Sequence, residues 1–178
     1  MKSLSKAPML PEAEHIWSGL EFRLPMLLRN VEPLDEQQLH WSPPGAGHSI
    51  AWQLWHIAEV EDNWPRSIVY EEPPRLPFGV QMREAVREQY PEKTMLLDYL
   101  REVRSITRTR LESVIGDYLE RVVVDPDFGE CTVRDIWAGV VTSFAWHAGQ
   151  VGMTAKMLPG SPVKTLHFNY WRGESSSR

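Results

Sequence analysis

Apolar side chains recur at helical spacing in four long stretches, and segments rich in proline and glycine separate these stretches. The first predicted helix runs from Pro11 to Val31, and Pro25 is expected to kink it. The second begins at Ile50, directly after Ser49, because serine commonly caps a helix N-terminus. Pro73 and Pro74 are expected to close it. The chain is therefore predicted to be mainly helical.

The second half of the chain repeats this pattern after a long connection. A third helix is predicted from Pro91 to Leu119, with four arginines on its solvated side: Arg101, Arg104, Arg108 and Arg110. The segment 121–132 combines β-branched residues with turn formers, which predicts a short hairpin. Thr132, followed three residues later by Asp135, resembles a capping box, so the last helix is expected to run from there to about Leu158.

The length of 178 residues favours one domain with a single core. Four long helices with a long connection between the second and third predict an all-α four-helix bundle that is not a simple up-down-up-down arrangement. We assign residues 1–173 to this domain and expect the polar tail 174–178 to be disordered. No internal repeat or linker divides the chain.

Charge and composition exclude several classes of function. Nineteen Lys and Arg against 24 Asp and Glu give a net charge of −5, and no basic run suggests nucleic-acid binding. The sequence shows neither a signal-peptide pattern nor 18 consecutive apolar residues, so neither secretion nor a membrane partner is expected. The single Cys131 fits a reducing compartment, and a cytoplasmic location is predicted.

Two histidines are the strongest candidates for chemistry. With a rotation of about 100° per residue, His147 falls within the apolar stripe of the last helix, and His56 lies at the border of the apolar face of the second. One such histidine is usually a core residue held by a hydrogen bond. Two on different helices can converge on a metal ion, although the place of a third ligand, one turn before His147, holds Ser143.

The residues around these histidines resemble the signature regions of the DinB-like superfamily of four-helix-bundle metalloproteins. The resemblance rests on SIAWQLWHIAEVEDNW at 49–64 and TSFAWHAGQ at 142–150, with support from NYWRGE at 169–174. It covers most of the chain. In that family a histidine of the second helix and an H-x3-H pair of the last helix bind a divalent metal. His56 and His147 match two of these ligands, and Ser143 occupies the third position.

The resemblance implies a protein that uses Zn²⁺ or Ni²⁺ to activate water or a low-molecular-weight thiol. Characterised relatives include bacillithiol- and mycothiol-dependent transferases and a maleylpyruvate isomerase. A thiol S-transferase or a hydrolase acting on a small-molecule substrate is therefore one expectation. The alternative is a non-catalytic bundle with a degenerate metal site, acting as a small-molecule-binding or stress-associated protein. Metal content distinguishes these two hypotheses.

Further residues carry secondary hypotheses. Three acidic residues of the second helix could include a general base or a partner that orients His56, although acidic residues on a helix are usually solvated: Glu59, Glu61 and Asp62. His48 and His167 are reserve candidates for the missing ligand. Three glycines of the last helix suggest close packing against a neighbouring helix and hence a homodimer: Gly139, Gly149 and Gly152.

Overall fold

The computed structural model describes residues 8–45 and 47–163, and these residues form a helical bundle with one short hairpin. The α-helices are α1 (Pro11–Val31), α2 (Glu36–Leu39), α3 (Ile50–Ile68), α4 (Lys93–Glu112) and α5 (Val133–Met157). The strands are β1 (Val122–Asp125) and β2 (Gly129–Thr132), paired antiparallel, and short 3₁₀ turns lie at Met82–Glu84, Arg87–Gln89 and Tyr118–Glu120. The four long helices and the hairpin of the sequence prediction are thus confirmed.

Local capping explains where two of the helices begin. The Ser49 hydroxyl accepts a hydrogen bond from the backbone N–H of Trp52, at 3.2 Å, and so satisfies a free donor at the start of α3. Thr132 and Asp135 form the reciprocal capping box predicted for α5. The polar side chains that precede these helices therefore fix their first residues.

Two boundaries differ from the sequence prediction. The predicted third helix was too long at both ends, because α4 begins two residues after Pro91 and ends at Glu112. Beyond it, Gly116 adopts a positive φ of 58° in the turn that leads to the 3₁₀ turn containing Leu119. The predicted first connection contains the single-turn helix α2, which Asp35 and Gln38 stabilise through a capping box.

Contacts between side chains give the order and direction of the helices. Trp64 lies against Gly139 and His56 against His147, so α3 and α5 are antiparallel. Residue 61 of α3 contacts residue 104 of α4, and residue 70, just after α3, contacts residue 110 further along α4. Helices α3 and α4 are therefore parallel. Helix α1 contacts both α4 and α5, and is antiparallel to the first and parallel to the second. The topology is therefore up-down-down-up, as the long connection between the second and third predicted helices requires.

Two interpretations of side-chain position were wrong. Arg104 is 5% exposed and lies in the core, because Glu61 of α3 neutralises its charge there. Gly139 does not form an open face on α5, since a Cβ atom added to it would lie 2.4 Å from the Trp64 ring, and Gly152 is buried. Among the three glycines of α5, Gly149 alone is exposed.

Candidate functional site

The imidazoles of His56 and His147 face each other between α3 and α5. Their ring centroids are 4.4 Å apart and their planes are inclined by 69°. Because the helices are antiparallel, the middle of α3 lies opposite the middle of α5, and the two rings meet there. The placement of both histidines toward a shared interior groove, inferred from the helical wheel, matches this geometry.

Trp52 separates a third histidine from this pair. The Trp52 ring stacks on His48 at 3.6 Å and on His56 at 5.0 Å, with interplanar angles of 9° and 13°. Two rings cannot share one face of the indole at these distances without overlapping, so His48 and His56 lie on opposite faces. His48, a reserve candidate from the sequence, is therefore held on the far side of Trp52 from the His56–His147 pair.

Both facing imidazoles are neutral at physiological pH. Burial, reinforced by the nearby rings of His147 and His48, lowers the pKa of His56 to about 4. Burial also lowers the pKa of His147, while the Gln150 side chain acts in the opposite direction. Neutral rings keep nitrogen lone pairs available to an electrophile or a hydrogen-bond donor.

The Nδ1 atom of His147 is buried and has no hydrogen-bond partner among the described residues. Such an atom costs free energy unless a ligand or water satisfies it. Ser143 lies one turn earlier on the same face of α5, at the position predicted for the third ligand. Within residues 8–45 and 47–163, no group of three or more His, Cys, Asp or Glu side chains is arranged to hold a metal ion.

Glu59 contacts the crossover between α3 and α4. Its carboxylate accepts a hydrogen bond from the backbone N–H of Met82, at 3.0 Å, and so holds the crossover between α3 and α4 against α3. Asn63, one turn further along, pairs in both directions with the backbone of Arg75. Burial raises the pKa of Glu59, and the Met82 hydrogen bond lowers it in part. One carboxylate oxygen of Glu59 thus holds the crossover, and its role as a general base or as a partner that orients His56 stays a prediction.

A second polar cluster joins α3 to α4, and the sequence interpretation missed it. Glu61 is 1% exposed and receives two hydrogen bonds of 2.9 Å from Arg104, whose guanidinium also lies 4.8 Å from the Phe144 ring centroid. Asp62, also 1% exposed, accepts hydrogen bonds from Arg66 and from the Tyr99 hydroxyl. Glu61 falls on the apolar side of the α3 wheel, which was the available signal that it is buried.

The comparisons with known proteins agree with this architecture. A family model described as the DinB superfamily matches residues 20–151, which include α3, α4, the hairpin and most of α5. The chain belongs to the DinB superfamily. The matched range contains both facing histidines. Residues 169–174, which supported the sequence resemblance, and His167, a reserve candidate for the missing ligand, lie outside the described residues.

A solved structure shows the same DinB-type fold. This chain is similar to the crystal structure of the conserved protein of locus from Enterococcus faecalis, with a TM-score of 0.69 and 16% sequence identity. The match covers 84% of this chain and 97% of that protein. Comparison with curated proteins gives no match. These findings establish the fold and the superfamily.

The donor set of this DinB-superfamily chain fits a metal ion in part. Two neutral imidazoles from different helices are suitable nitrogen donors, and one of them, His147, has a buried Nδ1 atom without a partner among the described residues. The hydroxyl of Ser143 is a weak donor, and the Glu59 carboxylate is bound to the crossover. A metal held here would therefore have two protein nitrogens and several positions left for water or substrate.

Proposed function

We propose that the chain is a metal-dependent enzyme of the thiol S-transferase or hydrolase type, with His56 and His147 as its two protein ligands. The observation that carries the proposal is the approach of two neutral imidazoles, 4.4 Å between centroids, in the groove between α3 and α5. A bound divalent ion such as Zn²⁺ or Ni²⁺ would lower the pKa of a coordinated water or thiol so that the anion exists near neutral pH.

The surrounding residues support this chemistry in distinct ways. The Trp52 ring stacks on His56 and restricts the orientation of that imidazole. The Ser143 hydroxyl, one turn from His147 on α5, would hydrogen-bond a water or a small-molecule substrate. The hydrogen bond between Glu59 and Met82 keeps the crossover packed against α3. Ordering by such contacts reduces the entropy cost of binding a substrate.

The test is zinc and nickel binding by tag-free protein, measured by isothermal titration and elemental analysis. We expect one ion per chain, with binding lost in His56→Ala and in His147→Ala. His48→Ala is the matched control, because Trp52 separates that ring from the pair, and it should retain the wild-type affinity. Equal affinities for the His56→Ala variant and the wild type would contradict the proposal.

One observation favours a second function. Since Ser143 stands at the position of the third nitrogen ligand and one oxygen of Glu59 is hydrogen-bonded to the crossover, the site would also suit a bundle that has lost its metal and binds a small molecule. In that case the unpaired Nδ1 of His147 would accept a hydrogen bond from the molecule. Protein that contains no ion and takes up none in the titration would favour this non-catalytic function.

A further inference from the structure

The outer face of α5 lacks the charged residues that a solvent-exposed helix normally carries. Between Asp135 and Lys156 the sequence contains no Asp, Glu, Lys or Arg. Three large apolar side chains on this face are more than half exposed, namely Trp146 at 67%, Met153 at 54% and Met157 at 55%. A helix that is apolar on its outer as well as its inner side is generally covered on both.

None of the helices in the described part of the chain combines the length and the apolar character needed to span a bilayer. The face also contains a small threonine, an alanine and a glycine between the large residues, which leaves its surface uneven. An uneven apolar surface of this kind suits a protein partner, because packing complementarity stabilises protein interfaces.

Six exposed, uncharged positions on this face follow a palindromic order of spacing, and large and small residues exchange places when that order is reversed. Separations of four, four, three, four and four residues place them within an arc of about 100° on α5. In order along the helix they are Ala138, Thr142, Trp146, Gly149, Met153 and Met157. A two-fold axis between residues 147 and 148 would pair every large side chain with a smaller one.

From this symmetry we propose that the outer face of α5 binds α5 of a second copy of the chain, antiparallel, in an isologous dimer. Trp146 of each copy packs over Gly149 of the other, where a Cβ atom would meet nothing within 4 Å in the single chain. Met153 packs against Thr142 of the second copy. The inference stands independently of the proposed metal chemistry.

A groove beside α5 provides room for the methionines. The cavity between α1 and α5 has a volume of about 630 Å³, and Ala138, Val141, Thr142 and Gly19 are among its lining residues. In the antiparallel pair, Met157 and Met153 of the second copy lie opposite Ala138 and Thr142. The flexible methionine side chains can therefore enter a groove that is open in the single chain.

The charges at the two ends of the face agree with an antiparallel arrangement. The acidic Asp135 marks its N-terminal end and the basic Lys156 its C-terminal end. The proposed axis brings Asp135 of one copy to within about one helical turn of Lys156 of the other. The opposite ends of the two helix dipoles meet there as well. A parallel pair would instead place like charges together.

A size exchange tests the pairing directly by sedimentation velocity over micromolar concentrations. Wild-type full-length chain should be a dimer. Trp146→Ala removes the large side chain from the Trp146–Gly149 pair, and Gly149→Trp makes two indoles compete for the same position. Each variant should therefore raise the dissociation constant of the dimer at least about tenfold. The double variant Trp146→Ala/Gly149→Trp restores one large and one small residue in each pair and should recover most of the affinity. Met95→Ala, at a 51% exposed methionine of α4, is the matched control.

Three results would overturn the inference. The first is a monomeric wild type, and the second is single variants with the dissociation constant of the wild type. The third is a double variant that dimerises no more tightly than the weaker of the two single variants. Thermal melting by circular dichroism should show that every variant is folded, because all the changed side chains are exposed. If residues 164–178 cover this face instead, the full chain will be monomeric and a chain ending at 163 will self-associate.

Discussion

Helix α3 contributes to two polar regions that differ in one respect. Toward α4, the buried charges are matched, with Glu61 paired to Arg104 and Asp62 bonded to Arg66. Toward α5, His56 and His147 are uncharged, and a buried nitrogen of His147 has no partner among the described residues. In the region toward α4, these charged groups hydrogen-bond to one another. In the region toward α5, a ring nitrogen stays available to a ligand or a water molecule.

This difference separates structural polarity from functional polarity. A buried ion pair with complete hydrogen bonding has no capacity left for a ligand, and its loss is felt as a loss of stability. An incompletely bonded imidazole pair contributes less to stability and keeps its lone pairs for binding. We therefore expect substitutions in the first region to change unfolding and substitutions in the second to change ligand binding.

The largest expected effect is on the ion pair. Glu61→Ala should lower the free energy of unfolding by about 3–5 kcal/mol, because among the described residues it leaves the buried Arg104 guanidinium with the part-exposed Glu21 as its one carboxylate partner. Urea denaturation measures this change. The double variant Glu61→Leu/Arg104→Leu should lose much less, and Arg101→Ala, at an exposed ion pair with Asp98, should cost less than about 1 kcal/mol. An equal loss for all three would contradict the interpretation.

The next effect concerns the imidazole pair. Ser143→His places a second imidazole one turn from His147, so zinc affinity should rise by about 3 kcal/mol, on the order of a hundredfold. The melting temperature in zinc should rise accordingly, since the ion binds the folded chain preferentially. Isothermal titration and thermal melting of the Ser143→His and Ser143→Ala variants make the comparison. Unchanged affinity in Ser143→His would show that this side chain does not face the ligand position.

The smallest effect is on pH dependence without metal. The folded-state pKa of His56 is about 4, below the ordinary value of 6.5, so the unfolded chain takes up the proton first as pH falls. The contribution of His56 to the free energy of unfolding is therefore fully present above about pH 6.5. It falls by about 1–2 kcal/mol as the pH is lowered toward about 4, after allowance for partial solvent exposure. Urea denaturation across this range should show a shallower slope for His56→Gln. His15→Gln, on the surface of α1, is the control, and equal slopes for wild type and His56→Gln would refute the assignment.

The sequence was sufficient where local signals determine structure. The limits of α1, the Ser49 cap, the hairpin and the start of α5 all depend on residues close together in the chain. The sequence did not predict side-chain burial correctly where burial depends on a partner that is distant in the chain. The sequence pattern of α4 places Arg104 among solvated arginines, whereas Glu61 of α3 makes its burial tolerable, and Gly139 accommodates Trp64 rather than a second chain.

The candidate site was predictable to a similar degree. Helical periodicity alone brought His56 and His147 to the same interior groove. The stack of Trp52 on His56 was also predictable, because these residues lie four apart in α3, whereas His48 precedes the Ser49 cap and its stack on Trp52 does not follow from helical spacing. The hydrogen bond of Glu59 could not be predicted from the sequence. Its partner is a backbone N–H of the crossover, and no side-chain pattern identifies that contact.

The up-down-down-up topology also has a consequence for the order of folding. Pairing Glu61 with Arg104 closes a chain segment of 43 residues, whereas pairing His56 with His147 closes one of 147 − 56 = 91 residues. A twofold longer segment costs about 0.6 kcal/mol more closure entropy, so α3 and α4 are favoured to dock first. The imidazole pair then forms late, when α5 completes the bundle, and stopped-flow folding should place interactions of His147 after the main barrier.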